Sequence, residues 1–145
     1  MRYPFIAGNW KMYKTTAEAR AFAREFKRNY QSSDVKVAIF APFTQLAALA
    51  EEFKGTGICL GAQNVHYERE GAFTGEISVP MLREIGVEYC IVGHSERRQY
   101  FNESDETVNR KAKALLEAEI TPVICVGENL YQREHNYQDK LVAEQ

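Results

Sequence analysis

Short apolar runs alternate with amphipathic helical segments along the chain, and this alternation limits the possible folds more than any other feature. Strands that are apolar at consecutive positions are typical of a sheet that is covered on both faces. When helices separate such strands, the strands lie parallel and are joined by right-handed crossovers. The sequence therefore predicts an α/β protein with a five-stranded parallel sheet, whose strands are expected at 5–7, 35–41, 58–60, 89–92 and 121–126.

The helices between these runs are predicted from their caps and from apolar residues at three- and four-residue spacing. Thr15 and Glu18 have the spacing of a capping box, and Ser104 is expected to cap a later helix. A short helix is expected over 79–85, and one long helix is expected from residue 130 onward. The chain of 145 residues has the size of a single domain, which we assign to 1–145. The expected apolar stripes consist of Ala19, Phe22, Ala23, Phe26 and Tyr30, of Leu46, Leu49, Ala50 and Phe53, and of Val108, Ala112, Leu115 and Leu116.

Composition argues against several classes of function. The chain has 18 Lys and Arg and 20 Asp and Glu, which gives a net charge of -2. No basic surface for nucleic acid is therefore expected. No apolar stretch approaches the roughly 18 residues that cross a bilayer, and no secretory signal is indicated. Cys59, Cys90 and Cys125 form no C-x-x-C pair, so we expect neither disulfides nor a zinc site. The predicted compartment is the cytoplasm, with the three thiols as small buried residues of the third, fourth and fifth strands.

The polar residues that follow the strands are the candidates for chemistry, because parallel α/β folds bind ligands at the carboxyl ends of their strands. An imidazole, an ammonium and a carboxylate brought together there would suit acid–base chemistry on an anionic small molecule. His94 lies between a glycine and a predicted helix start, where amide dipoles favour the neutral ring. The alternatives are a solvated Lys11 and an exposed first turn at 96–98. The candidates are Asn9, Lys11, Gln63, Asn64, His94, Glu96 and Glu128.

The longest predicted loop, 61–78, is polar and contains three glycines, which makes it a further candidate for function. His66 within this loop and His135 near the end of the chain have no indicated partner, so both are expected at the surface. Two architectures remain open at this point, a barrel and a flavodoxin-like doubly wound sheet. A doubly wound binding protein would need a phosphate loop after the first strand, and residues 8–11 lack the glycine spacing of one.

Five motifs, considered together, identify a resemblance that covers essentially the whole chain. In their order and spacing they resemble the triosephosphate isomerase family. The resemblance implies a (β/α)8 barrel, of which this chain would hold strands 1 to 5, helices 1 to 4 and the start of helix 5. The motifs are FIAGNWKM at 5–12, GAQN at 61–64, GAFTGE at 71–76, VGHSERR at 92–98 and CVGE at 125–128.

The resemblance also implies an activity, the interconversion of dihydroxyacetone phosphate and D-glyceraldehyde 3-phosphate without a cofactor or metal. Asn9 and Lys11 would bind the substrate, with the Lys11 ammonium stabilising the phosphate and the developing oxyanion. His94 would be the neutral electrophile that polarises the carbonyl, which is the established mechanism of this family. Glu96 would be a second carboxylate beside Lys11 that orients the site.

A symmetric homodimer is implied as well. The family's loop that contains Thr74 inserts into the neighbouring subunit, where it would meet the partner's Asn9 and the partner's Glu96. Glu76 of the same loop would pair with the partner's Arg97. Each site would then be completed by the other subunit.

The chain departs from the family pattern in length, because a (β/α)8 barrel typically needs about 250 residues. The family's catalytic base is a glutamate after the sixth strand, and neither it nor the lid has a counterpart here. We therefore expect this chain to be a truncated, inactive part of an isomerase, with Glu128 lacking a lid to contact. The alternative is a non-catalytic half-barrel module that works by assembly through its open edge strands.

Overall fold

The computed structural model describes residues 4–31 and 34–145, so 1–3 and 32–33 of the expected domain lie outside the described residues. Every pair of neighbouring strands is parallel, which confirms the predicted sheet. The strands follow one another in chain order across it. This order rules out the flavodoxin-like alternative, in which the second strand would lie at the edge and the first inside. The strands are β1 (Phe5–Asn9), β2 (Lys36–Ala41), β3 (Ile58–Ala62), β4 (Tyr89–Val92) and β5 (Thr121–Ile124).

The sheet curls into a half-barrel, as a contact across its concave face shows. The rings of Phe5 on β1 and Tyr89 on β4 have centroids 5.0 Å apart. In a flat sheet three strand spacings would separate them by about 14 Å. The concave face holds a small cluster of strand residues centred on Ala38, Phe40 and Ile91, whereas the helices pack on the convex face. The fold is thus the first part of a (β/α)8 barrel, as the resemblance implied.

The helices follow the predicted caps and stripes, except that Leu116, expected in the stripe of α5, is 61% exposed. Thr15 and Glu18 form the capping box, with the Glu18 N–H donating to the Thr15 hydroxyl at 3.4 Å. Ser104 accepts from the N–H of Thr107 at 3.2 Å and caps its helix as predicted. None of the helices in the described part of the chain is long and apolar enough to cross a membrane. The helices are α1 (Thr16–Asn29), α2 (Phe43–Phe53), α3 (Val79–Glu84), α4 (Ser95–Phe101), α5 (Asp105–Glu117), α6 (Leu130–Glu134) and α7 (Gln138–Glu144).

Several boundaries differ from the prediction: β2 begins at Lys36, β3 continues to Ala62 and α3 ends at Glu84, and three further differences concern the last helix, β1 and β5. The long helix expected from residue 130 is wrong: Asn136 has a left-handed φ of 59° and separates two short helices. β1 continues to Asn9 because its backbone stays in register with β2, although glycine and asparagine end the apolar run. β5 ends at Ile124, so Cys125 follows the strand instead of lying within it. Cys90 is buried as expected, whereas Cys59 and Cys125 are only half-buried on the concave side.

One carboxylate joins the first two helices on the convex face. Glu52 of α2 lies 2.8 Å from the Nζ of Lys27, 3.0 Å from the Nε of Arg24 and 3.4 Å from an Nη of Arg20, all on α1. Its side chain is only 10% exposed. The hydrogen bond from Lys27 is the largest of the effects that lower the pKa of Glu52 to about 2.

We predict that Glu52 makes the stability of the protein depend on acid pH. Because its pKa is lower in the folded state, its contribution is complete above about pH 4.5 and is lost as the pH falls toward about 2. Glu52→Gln should flatten the dependence of the urea midpoint on pH across this window. Glu25→Gln, which removes an exposed carboxylate of α1, is the control. Parallel pH profiles for wild type and Glu52→Gln would contradict the prediction.

Candidate functional site

A cavity of about 300 Å³ lies at the carboxyl ends of the strands, and the sequence candidates meet there. It lies where residues that follow β1, β3 and β4 come together. Glu128, the candidate after β5, is not part of this lining, and its carboxylate forms an ion pair with Arg133 instead. The polar lining consists of Asn9, Lys11, Gln63, Asn64, His94, Glu96 and Arg97.

The ammonium of Lys11 and the carboxylate of Glu96 form the central ion pair of the cavity. Lys11 Nζ donates to Glu96 Oε1 at 2.8 Å, across 85 residues of sequence. The hydrogen bond to Glu96 raises the pKa of Lys11, and the same bond lowers the pKa of Glu96. Both side chains are about half exposed, so a ligand can reach them. Lys11 therefore stays cationic over the physiological range and is held at a defined place.

The backbone at Lys11 adopts a left-handed conformation, with a φ of 52°. Such values are uncommon outside glycine and concentrate at functional sites. The Lys11 N–H donates to Asn9 Oδ1 at 3.0 Å, and the Lys11 carbonyl accepts from Gln63 Nε2 at 2.9 Å. Gln63 also donates to the carbonyl of Phe40 on β2 at 3.0 Å. Asn9 and Gln63 thus fix the backbone that carries the ammonium.

His94 stands at the start of α4, and its hydrogen bonding defines its tautomer. Its Nδ1 accepts from the backbone N–H of Glu96 at 3.2 Å. An N–H group can only donate, so Nδ1 carries a lone pair and the ring proton lies on Nε2. The imidazole is then neutral and has one N–H with which to polarise an acceptor. The side chain of His94 is 22% exposed.

The turn before His94 is fixed by groups that the sequence analysis did not single out. Gly93 has a φ of 73°, and a Cβ there would lie 3.0 Å from the carbonyl oxygen of Cys125. Its N–H donates to Glu103 Oε2 at 3.1 Å, and its carbonyl accepts from Arg98 Nε at 2.8 Å. Gly93 is required here because a side chain would be both strained and crowded.

A buried charged network lies behind the turn, and its two charged members, Lys111 and Glu103, were also missed. Lys111, Glu103 and Asn64 are 5%, 6% and 7% exposed. Lys111 Nζ donates to Asn64 Oδ1 at 2.7 Å and forms an ion pair with Glu103. The available signal was the position of Lys111 in the buried stripe of α5, between Val108 and Leu115. A charged residue in an apolar stripe indicates a paired, buried charge.

The β3–α3 loop, 63–78, lies apart from the cavity in its central part. Thr74 and Glu76 are exposed and do not line the cavity, so one chain does not bring them to Asn9, Glu96 or Arg97. The loop is closed at its base by a hydrogen bond of 2.8 Å from the N–H of His66 to the carbonyl of Ile77.

The two remaining histidines behave differently. The expectation of an exposed, unpartnered His66 was wrong: its ring lies 4.2 Å from that of Phe73, and its Nδ1 accepts from the N–H of Glu68 at 3.1 Å. His135 is exposed as predicted, but it too has partners: its Nδ1 lies 2.7 Å from the carbonyl oxygen of Tyr131, and its ring stacks on that of Tyr131. In the described ranges no cluster of three or more His, Cys, Asp or Glu side chains could hold a metal ion.

Fold and site together define a (β/α)-barrel protein whose ligand cavity combines a fixed cation, a neutral imidazole and a carboxylate. The family model for triosephosphate isomerase matches residues 4–145. The chain belongs to the triosephosphate isomerase family.

Curated relatives agree with this assignment. Triosephosphate isomerase of Synechococcus sp. (strain JA-3-3Ab) is 54% identical over 100% of this chain, which covers 59% of that relative. The enzyme of Alkaliphilus metalliredigens (strain QYMF) is 54% identical over 92% of this chain and 54% of its own length. The enzyme of Alkaliphilus oremlandii (strain OhILAs) is 49% identical over 100% of this chain, which covers 58% of that relative. The chain therefore spans less than two thirds of the length of these relatives.

Proposed function

We propose that this chain supplies the amino-terminal part of a triose-phosphate isomerase, which interconverts dihydroxyacetone phosphate and D-glyceraldehyde 3-phosphate in glycolysis and gluconeogenesis. The observation that carries the proposal is the Lys11–Glu96 ion pair beside a neutral His94 in one cavity. No cofactor, metal, nucleic acid or membrane takes part in the proposed reaction. The three free cysteines fit a reducing compartment, and we place the reaction in the cytoplasm.

Each group has a role that follows from its chemistry. Lys11 binds the substrate phosphate and stabilises the oxyanion that develops as a proton leaves the neighbouring carbon. His94 donates its Nε2–H toward the carbonyl oxygen and moves protons between the two oxygens of the enediolate. Glu96 keeps the ammonium charged and in place. Asn9 holds the Lys11 backbone and contributes to substrate binding.

The base that removes the proton from carbon is not among these groups. In the family pattern it is a glutamate after a sixth strand, whereas the sheet described here has five. A positioned base is generally worth about 10² to 10⁴ in rate. We therefore propose that the 145 residues on their own are inactive.

The proposal is tested with two proteins, the chain itself and a chimera. The chimera joins the chain to the part of the Synechococcus enzyme that this chain does not cover. We expect the chimera to isomerise dihydroxyacetone phosphate, and the chain alone to turn over at least about 10²-fold more slowly. A chimera that folds but has no activity would refute the assigned roles. Turnover by the chain near that of the chimera would refute its inactivity.

We also propose a homodimer in which Thr74 and Glu76 of one subunit dock beside Asn9, Glu96 and Arg97 of the other. The exposed β3–α3 loop supports this, because its ends are fixed while the tip carries these polar side chains. Arg97 supports it too: it lines the cavity and its side chain is 28% exposed, so it can be reached, while its Nε lies 3.7 Å from Glu103 Oε2, outside hydrogen-bond distance.

Charge reversal at Glu76 tests the dimer. Glu76→Arg places like charges at the proposed contact with the partner's Arg97 and should weaken dimerisation of the chimera by about 2 to 5 kcal/mol. Sedimentation equilibrium measures the dissociation constant. Glu84→Arg, the same reversal at an exposed position of α3, is the control. An unchanged constant in Glu76→Arg would refute this contact.

Assembly without catalysis is a second candidate, and exposed apolar side chains on the edge strands β1 and β5 favour it. On β1 and β5 large apolar side chains stay exposed, Phe5 at 39% and Ile124 at 50%. Within the described residues each of these strands pairs with one neighbour. Size-exclusion chromatography and amide exchange distinguish the two candidates. A monomer whose β1 and β5 amides are well protected would exclude assembly through these edges.

A further inference from the structure

The loop that carries Lys11 is fixed from outside instead of by its own conformational preferences. Between β1 and α1 it has two non-glycine residues with a left-handed backbone, Lys11 at a φ of 52° and Lys14 at 74°. Met12 and Tyr13 between them are 93% and 71% exposed, so packing does not hold this stretch. Two left-handed residues within four positions are costly for L-amino acids. Contacts with other elements must therefore compensate for the strain.

Side-chain amides from two other parts of the fold donate to this loop, one at each strained residue, and the Lys14 ammonium also lies 5.5 Å from the centre of the Phe22 ring on α1. Gln63 donates to the Lys11 carbonyl, as described above. At the other end, Gln45 Nε2 donates to the Lys14 carbonyl at 2.6 Å. Gln45 lies in the first turn of α2, where its own N–H donates to the carbonyl of Pro42. The loop is thus held at Lys11 and at Lys14 by hydrogen bonds from residues outside the loop.

The burial of Gln45 is unusual for its residue type. It is 4% exposed, although glutamine is mostly found at the surface. The other buried residues of α2 are apolar. The Gln45 Oε1 atom has no hydrogen-bond partner within the described residues. A buried amide that donates to a strained loop points to a role in shaping that loop.

We propose that Gln45 is a positioning residue for Lys11: its buried amide holds the Lys14 carbonyl and keeps the loop in the left-handed conformation that brings the ammonium to Glu96. The inference deepens the proposed function, because Lys11 is the cation proposed to bind the substrate phosphate. Gln45 itself does not line the cavity, so it acts through the loop and not on the ligand.

Gln45→Met in the 145-residue chain tests the proposal, because methionine keeps the length and apolar contacts but cannot donate. Amide exchange followed by NMR reports on the Lys11 N–H, which bonds to Asn9, and on the buried core through Leu115 of α5. Loss of one hydrogen bond should accelerate exchange at Lys11 roughly fivefold and leave Leu115 unchanged. The pKa of Lys11 should fall toward that of an exposed lysine as its contact with Glu96 weakens.

Gln99→Met, the same change at an exposed position of α4, is the control and should alter neither readout. The proposal would be overturned if Lys11 in Gln45→Met exchanged its amide proton and titrated as it does in the wild type. Failure of the variant to fold, or equal acceleration at Leu115, would overturn it too, because either result would assign Gln45 to the stability of the whole domain. Turnover is not measured, so failure of the proposed isomerase activity would be seen separately in the chimera.

Discussion

Glu103→Gln is expected to lower the free energy of unfolding by about 3 to 5 kcal/mol, because it leaves a buried ammonium without its counter-charge. Lys111 and Glu103 are each less than a tenth exposed and form an ion pair. Asn64 can accept from Lys111 but cannot neutralise it. Native proteins are stable by only about 5 to 15 kcal/mol, so the loss takes a large part of the total.

Urea unfolding of a double-mutant cycle separates the ion pair from the general cost of mutation. Lys111→Met should destabilise by a similar amount, and Glu103→Gln with Lys111→Met should cost less than the sum of the two. Glu106→Gln, an exposed carboxylate in the same helix, is the control. A Glu103→Gln variant within about 1 kcal/mol of wild type would show that the buried ammonium is not held by this carboxylate.

Glu103→Gln should also disturb the candidate site. Glu103 Oε2 accepts from the N–H of Gly93, the residue before His94, at 3.1 Å. Glutamine can keep this bond only if its amide oxygen turns toward Gly93, which directs its NH₂ group at Lys111. The network therefore couples the stability of the domain to the placement of the imidazole.

Most of the architecture could be predicted because it depends on local patterns. Apolar runs and helical stripes indicated the alternation of strands and helices, and the capping box at Thr15 located the start of α1. The curvature of the sheet could not be derived this way. It depends on contacts between strands distant in sequence, such as that of Phe5 with Tyr89. The choice of a barrel came from the motifs, and the observed strand order agrees with it.

Some residues of the candidate site could likewise be predicted from the sequence, and others could not. Residues at strand ends are brought together by any parallel sheet, so Lys11, His94 and Glu96 could be proposed as neighbours from the sequence. Gln45 could not, because it is a polar residue whose importance comes from its burial, whereas the only signal for Lys111 was its position within the apolar stripe of α5. Burial depends on how the helices pack on the sheet, which a single sequence encodes only through its apolar stripes. Helix ends were missed where a single left-handed residue, such as Asn136, interrupts a helical pattern.

His94→Gln in the chimera is expected to reduce kcat by about 10² to 10⁴, the usual value of a positioned acid–base group. Glutamine retains an N–H donor of similar reach but cannot give up a proton and take it back. The effect should fall on kcat and leave KM nearly unchanged, because the group proposed to hold the substrate phosphate is Lys11 and not the imidazole. Steady-state kinetics in both directions of the isomerisation provide the measurement.

His135→Gln is the matched control, because it makes the same change at an exposed histidine outside the cavity. It should leave both constants at the values of the parent chimera. If His94→Gln instead raised KM with kcat unchanged, the imidazole would bind substrate and transition state equally and would not be the electrophile. The neutral tautomer favours the first outcome: an N–H donor gains most where negative charge develops on the carbonyl oxygen, which occurs only as the proton leaves carbon.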